Sequence, residues 1–166
     1  SLQGDYKVVD IIKSMVGKIE YQNLKRVYKV KPSETFGMTI DLSQIPDLGP
    51  ILMVLAALST NETTFTNASR LRIKESDRLE AMYQTLLRFG VEVSMDQDTM
   101  KIKGTKTLKG NQAFDSYGDH RIAMAIAIAA IRADGPVTIL NAEVVSKSYP
   151  KFFEVYQSLG GDIHES

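Results

Sequence analysis

Two short clusters hold the residue types that could do chemistry in this chain, Lys74-Glu75-Ser76-Asp77-Arg78 and Gly118-Asp119-His120-Arg121. Each sets cations and carboxylates just ahead of an apolar-periodic stretch, where a helix should begin. Free backbone N–H groups and the positive end of the helix dipole favour anions at such a point, and flanking cations reinforce that preference. Arg121 opens a stretch that is otherwise apolar. A guanidinium there needs a partner, either a bound carboxylate or phosphate or a structural carboxylate. By itself, the first cluster also fits a solvated charged edge with helix-capping acids. Asp47, between Pro46 and Leu48, reads from spacing as an N-cap, and Lys147 as a solvated loop lysine. Together these cations and acids suit a multiply anionic substrate and proton transfer without a cofactor.

Composition narrows the alternatives. Twenty basic and twenty acidic residues give zero formal charge, which argues against a nucleic-acid footprint or a polybasic membrane anchor over the whole surface. No cysteine is present, so disulfides, thiolate nucleophiles and cysteine-held metals are excluded. With only His120 and His164, a histidine-rich metal site is excluded too; counting leaves a carboxylate site for magnesium open. His164, near the chain end, has no functional reading. No glycine-rich phosphate loop or nucleophile elbow occurs. The apolar runs 51–58 and 122–131 fall far short of a membrane span, and no signal peptide is visible; the expectation is a soluble, cytoplasmic protein.

The elements that must position these residues follow from periodicity. Asp47–Ser59 and Asp119–Ala133 are apolar nearly all round and predict helices buried on every side, each opened by an aspartate N-cap. Asp77–Phe89 is amphipathic, with Asp77 and Glu80 at capping-box spacing and Gly90 to stop it. Val91–Met95 and Thr99–Lys103 alternate and predict a hairpin across Asp96-Gln97-Asp98. Arg70-Leu71-Arg72-Ile73-Lys74 also alternates, which on an extended segment puts the three cations on one side. Ser148 is a natural cap for a last helix.

The same elements recur about seventy positions apart, with Asp47 matching Asp119, Thr64–Asn67 matching Thr138–Asn141, Lys74 matching Lys147 and Phe89-Gly90 matching Leu159-Gly160. Upstream, Asp5–Val16, Gly17 and the segments 18–20 and 26–31 match the second half of the same unit, with Gly17 set against Gly90. The chain therefore divides into an incomplete repeat over 3–46 and repeats over 47–118 and 119–166, an α/β fold of about two and a half units. A first copy without its buried helix makes the expected object a partial domain of something longer, with apolar surface left exposed.

The order Ile45-Pro46-Asp47, Arg72-Ile73-Lys74-Glu75-Ser76-Asp77-Arg78-Leu79, Gly118-Asp119-His120-Arg121-Ile122-Ala123-Met124 and Ser146-Lys147-Ser148-Tyr149-Pro150 resembles the 5-enolpyruvylshikimate-3-phosphate synthase family, from Gln3 to the chain end. The resemblance implies the enolpyruvyl transferase fold, in which strand/helix units put sheets outside and buried parallel helices inside, three units to each of two domains. Its reaction joins phosphoenolpyruvate to the 5-hydroxyl of shikimate 3-phosphate and releases phosphate, on the way to chorismate and the aromatic amino acids. No cofactor or metal is implied. Asp47, Lys74, Glu75 and His120 would take the catalytic positions, with Asp47 and Lys74 also binding shikimate 3-phosphate. Arg78, Arg121 and Lys147 would clamp phosphoenolpyruvate, where glyphosate competes in sensitive members. Where some members carry a phosphate-binding asparagine, this chain has Arg70. The other expected partner is the N-terminal domain of the same enzyme, without which this piece should be inactive. A UDP-N-acetylglucosamine enolpyruvyl transferase relative and a non-catalytic isolated domain are the competing readings, the first disfavoured by the Lys-Glu-Ser-Asp-Arg string.

Overall fold

The two stretches that are apolar all round meet at the centre of the fold, yet, against expectation, neither is covered on every side: Ile51 and Leu55 of the one and Met124 and Ile128 of the other stay partly exposed. In the computed structural model, which describes residues 2–165, α2 (Gly49–Ala57) packs against α4 (His120–Ala130). Leu52, Met53, Ala56 and Ala57 of the one and Ile122, Ala125, Ile126 and Ala129 of the other are all buried. Around them lie α1 (Leu2–Ser14), α3 (Arg78–Arg88) and α5 (Phe152–Ser158), with three small sheets. Ser1 and Ser166, the second of which ends the last expected repeat, lie outside the described residues.

Two of the three sheets among the described residues borrow a strand from the stretch of chain before them. In the largest, β3 (Thr39–Asp41) lies parallel to β4 (Glu62–Thr66), which pairs antiparallel with β6 (Met100–Lys103), and β6 with β5 (Glu92–Met95). Likewise β7 (Gln112–Asp115) lies parallel to β8 (Val137–Leu140). The remaining pair is the antiparallel hairpin β1 (Ile19–Gln22) and β2 (Val27–Val30). Alternation turns Met100 and Ile102 into the core and Lys101 and Lys103 outward. By contrast every residue of β2 is exposed, and Tyr21, Leu24, Tyr28 and Val30 leave an apolar surface on that hairpin.

Helix boundaries correct several expectations. Asp119 caps α4, its carboxylate accepting from the Arg121 N–H at 2.9 Å. Asp47 caps nothing. A 3₁₀ turn over Pro46–Leu48 precedes α2, and the Leu48 and Gly49 N–H groups already donate to the carbonyls of Ile45 and Pro46, so no donor of that turn needs the Asp47 side chain. Segment 69–73 is likewise a 3₁₀ turn and not a strand. It buries Leu71 completely and leaves Ile73 82% exposed, which a one-sided alternation would not do. Its arginines diverge: Arg70 donates to the Ser43 carbonyl, while Arg72 reaches the carbonyls of Asp96 and Gln97 in the hairpin turn. Nor does Ser148 cap α5, which starts after Lys151, because Pro150 holds the residue before it away from helical geometry.

The ends of α1, α3 and α5 share one hydrogen-bond pattern. Val16, Gly90 and Gly160 each sit at left-handed φ (67°, 80° and 98°). The amides of Gly17, Val91 and Gly161 donate back to Ile12, Leu86 and Tyr156. Val16, and not Gly17, is therefore the counterpart of Gly90. A β-branched residue at positive φ is strained by about 1–2 kcal/mol, and Val16 is too exposed to recover that through packing. Val16→Gly should stabilise the chain by about 0.5–1 kcal/mol, after glycine's extra unfolded-state freedom is deducted. Urea unfolding measures this, and a lower midpoint for the variant would contradict the left-handed assignment.

Candidate active site

Three element starts converge on one point. The 46–48 turn ahead of α2 carries Asp47, the loop into α3 carries Lys74, Glu75 and Ser76, and the first turn of α4 follows Asp119. At the centre stands Arg78, the first residue of α3. It belongs to that helix's buried stripe with Leu79, Met82, Thr85 and Leu86, and only 1% of it is exposed. A buried guanidinium is tolerated only with its donors engaged. Here Nε donates to Asp119 Oδ2 at 2.7 Å, Nη1 to Asp47 Oδ1 at 2.9 Å, and Nη2 to Glu75 Oε2 and, at 3.3 Å, to Asp119 Oδ1.

The ring continues outward from those carboxylates. Lys74 Nζ lies 3.1 Å from Asp47 Oδ1. Arg121 donates from Nη1 to the Asp47 carbonyl at 3.1 Å and sets Nη2 3.9 Å from Asp47 Oδ2. Ser76 Oγ donates to Asp119 Oδ2 at 3.0 Å. Lys74, Arg78 and Arg121 thus balance Asp47, Glu75 and Asp119. Burial pushes the Asp47 and Asp119 carboxyls up, yet their cationic partners and hydrogen bonds outweigh it. Lys74 leads for Asp47 and Arg78 for Asp119, and both carboxyls end below the usual carboxylate range. Burial likewise works against the Arg78 charge, and the three carboxylates reverse that, raising its affinity for the proton.

Asp47, Lys74, Glu75, Arg78 and Arg121, all singled out in the sequence, are therefore brought together. Arg78 differs from the open clamp residue expected, since protein carboxylates already surround it. Arg121 keeps about a third of its side chain exposed, and Lys74 a quarter. His120 begins α4 and makes no side-chain hydrogen bond among the described residues. Lys147 ends the 3₁₀ turn Ala142–Lys147, exposed and in no ion pair among the described residues. Beside Asp47 and Arg121 opens a cleft of about 260 Å³ walled by Ile51, Met124, Tyr149 and Phe152. Among the described residues, no group of three His, Asp or Glu side chains could hold a metal ion, and no helix is long and apolar enough to cross a membrane.

Sequence reasoning missed the second role of Asp119, which it read only as a cap, and the part of Ser76. The signal was present in Arg78. An arginine on the buried stripe of an amphipathic helix requires a buried carboxylate, and Asp119 is completely buried.

Removing Arg78 strands that carboxylate. Arg78→Met should cost about 3–5 kcal/mol at neutral pH. The gap to wild type should narrow on acidification. The native stabilisation from the depressed Asp47 and Asp119 carboxyls is complete above their unfolded values near pH 4 and disappears as pH falls through the lower folded values. In the variant, the unpaired Asp119 instead gains by protonation. Urea unfolding of both proteins between pH 7 and about pH 3 decides it, and a gap that widens toward acid would refute the pairing.

Comparison with known proteins gives this arrangement a lineage. A family model described as EPSP synthase (3-phosphoshikimate 1-carboxyvinyltransferase) matches residues 1–156. The chain is 51% identical to the 3-phosphoshikimate 1-carboxyvinyltransferase of Clostridium acetobutylicum, over 99% of this chain and 37% of that protein. It is 43% identical to that of Archaeoglobus fulgidus, over 98% of this chain and 38% of that protein. A solved EPSP synthase from Acinetobacter baumannii superposes with a TM-score of 0.82 at 30% identity, over 91% of this chain and 38% of that one. The enolpyruvyl transferase NikO from Streptomyces tendae, 18% identical with a TM-score of 0.78, shares the fold over 94% of this chain and 35% of that one. The chain thus spans little more than a third of the length of these relatives. Within that span, the match covers the whole of the charged ring and the helices that build it, and the chain belongs to the EPSP synthase family.

Proposed function

We propose that this chain forms one wall of an active site that transfers the enolpyruvyl group of phosphoenolpyruvate to the 5-hydroxyl of shikimate 3-phosphate, releasing phosphate, in the cytoplasm. The observation that carries the reading is the gathering of Asp47, Lys74, Glu75, Arg78 and Arg121 into one cluster, from three separate stretches of a chain of this family. The partition into an incomplete repeat and two further repeats is part of the same proposal. So is an opposing wall contributed by an N-terminal domain, consistent with the third or so of each relative's length that this chain matches.

The chemistry asks for what the cluster contains. Addition needs a proton delivered to the methylene carbon of phosphoenolpyruvate while the 5-hydroxyl oxygen bonds to its neighbouring carbon and gives up its own proton. Glu75 serves the first transfer and Asp47 the second, with Lys74 between the shikimate phosphate and the reacting centre. Elimination of phosphate then returns the methylene proton and restores the double bond. Positive charge develops at the central carbon on protonation, and nearby carboxylates stabilise it. Arg78, Arg121 and Lys147 hold the carboxylate and phosphate of phosphoenolpyruvate, with His120 beside them. For Arg78 to accept a ligand carboxylate, Glu75 turns aside. It is the most exposed of the three partners, at 52%, so it leaves the guanidinium at the least cost, and away from that charge it takes from solvent the proton it then delivers.

With half the site absent, the isolated chain given both substrates should release no measurable phosphate. Phosphoenolpyruvate at millimolar concentration should still shift the amide NMR signals around Arg121 and Lys147, and shikimate 3-phosphate those around Asp47 and Lys74. UDP-N-acetylglucosamine should shift neither set. Silence from the first two ligands, or turnover at a full enzyme's rate, would overturn this account.

A further inference from the structure

Three carboxylates hold Arg78, but only one of them is rigidly placed. Asp47 and Glu75 keep 47% and 52% of their side chains exposed and lie on a turn and a loop. Asp119 has no exposed surface, and it is the only one of the three to take two of the guanidinium's nitrogens. Its remaining acceptor capacity goes to the Ser76 hydroxyl and the Arg121 backbone N–H. One carboxylate therefore fixes the orientation of Arg78, pins the loop that carries Lys74 and Glu75, and terminates the helix that carries Arg121. We propose that Asp119 is the positioning residue of the anion site: it holds the Arg78 guanidinium and the start of α4 in one geometry while the exposed carboxylates come and go.

The argument is one of constraint. A planar guanidinium bound through Nε and one Nη to a single carboxylate has its plane set by that pair, and its other edge presented in a fixed direction. That other edge is Nη1 and the outer side of Nη2, the atoms now facing Asp47 and Glu75. When an anion displaces Glu75, the Asp119 side remains, so the arginine is already aimed and its ordering cost has been met in folding. Without the Asp119 charge, Arg78 would lose its buried counter-ion and follow whichever exposed carboxylate it still touched.

This inference rests on the phosphoenolpyruvate reading, so its test includes a signal independent of that ligand. The Nε–H resonance of Arg78, enclosed and donated to Asp119, should appear in the NMR spectrum as a slowly exchanging downfield line. Asp119→Asn keeps the shape and one acceptor. The variant should retain the amide pattern of α2 and α3, lose the protected Arg78 line, and bind phosphoenolpyruvate about tenfold more weakly or worse. A folded variant with affinity within about twofold of wild type, or with the Arg78 line intact, overturns the proposal. Should Asp119→Asn not fold, Ser76→Ala provides the second arm. Removing one hydroxyl from Asp119 should broaden the Arg78 line and weaken phosphoenolpyruvate about threefold, and unchanged values overturn the proposal. If the wild-type chain shows no phosphoenolpyruvate shift at all, the substrate reading fails. The Arg78 line alone then decides whether Asp119 holds the guanidinium.

Discussion

The burial of one guanidinium governs this structure. Taking Arg78 out of water costs several kcal/mol unless its donors are matched, and the matching carboxylates come from three places far apart in the chain. Satisfying it therefore fixes the 46–48 turn, the loop ahead of α3 and the start of α4 relative to one another. Hydrophobic packing of α2 on α4 brings these element starts near, but packing is tolerant of small slides. A bidentate ion pair is not, and it converts an approximate neighbourhood into a defined geometry.

The order of elements explains why their starts meet. Two stretches of chain run through an apolar helix, a strand, a 3₁₀ turn and a second helix in the same order, and the two apolar helices pack on each other. The positions just before the two apolar helices then face the same end of the molecule. The shared strands, β3 lent to β4 and β7 to β8, hold successive stretches in register, so that end is set by the backbone and not by the charged side chains. Asp47 and Asp119 lie just ahead of the two apolar helices and meet on opposite sides of Arg78, each through its carboxylate, while only Asp119 also caps its helix.

Much of this was legible in the residues. All-round apolar composition identified α2 and α4, the cap and stop residues bounded α3, and alternation gave the β5–β6 hairpin. Those signals are local, and so were the misreadings. Segment 69–73 alternates like a strand, yet its arginines answer to carbonyls of Ser43, Asp96 and Gln97, distant acceptors that spacing cannot register. Asp47 looked like a cap because the 3₁₀ turn that already satisfies the nearby amides has no pattern of its own. Asp119 looked like nothing more than a cap because a buried ion pair is a property of two positions, and only the arginine betrays it. For the charged cluster, spacing pointed to the residues that the fold brings together but not to which of them pair.

Exposure grades the charged ring from its inner to its outer side. Asp119 and Arg78 are sealed, where a low dielectric makes their attraction strong and any unmatched charge severe; Lys74, Arg121, Asp47 and Glu75 face outward, where water screens them. That division separates a fixed part of the ring from a part that can rearrange. The sealed pair holds its geometry whatever lies outside it, and the outer groups can change partners at little electrostatic cost because water screens them. Lys74, Arg78 and Arg121 balance Asp47, Glu75 and Asp119, so the ring as a whole carries no net charge. An uncompensated cluster of three cations would repel itself when empty, and one matched only by buried carboxylates would have no place for a ligand.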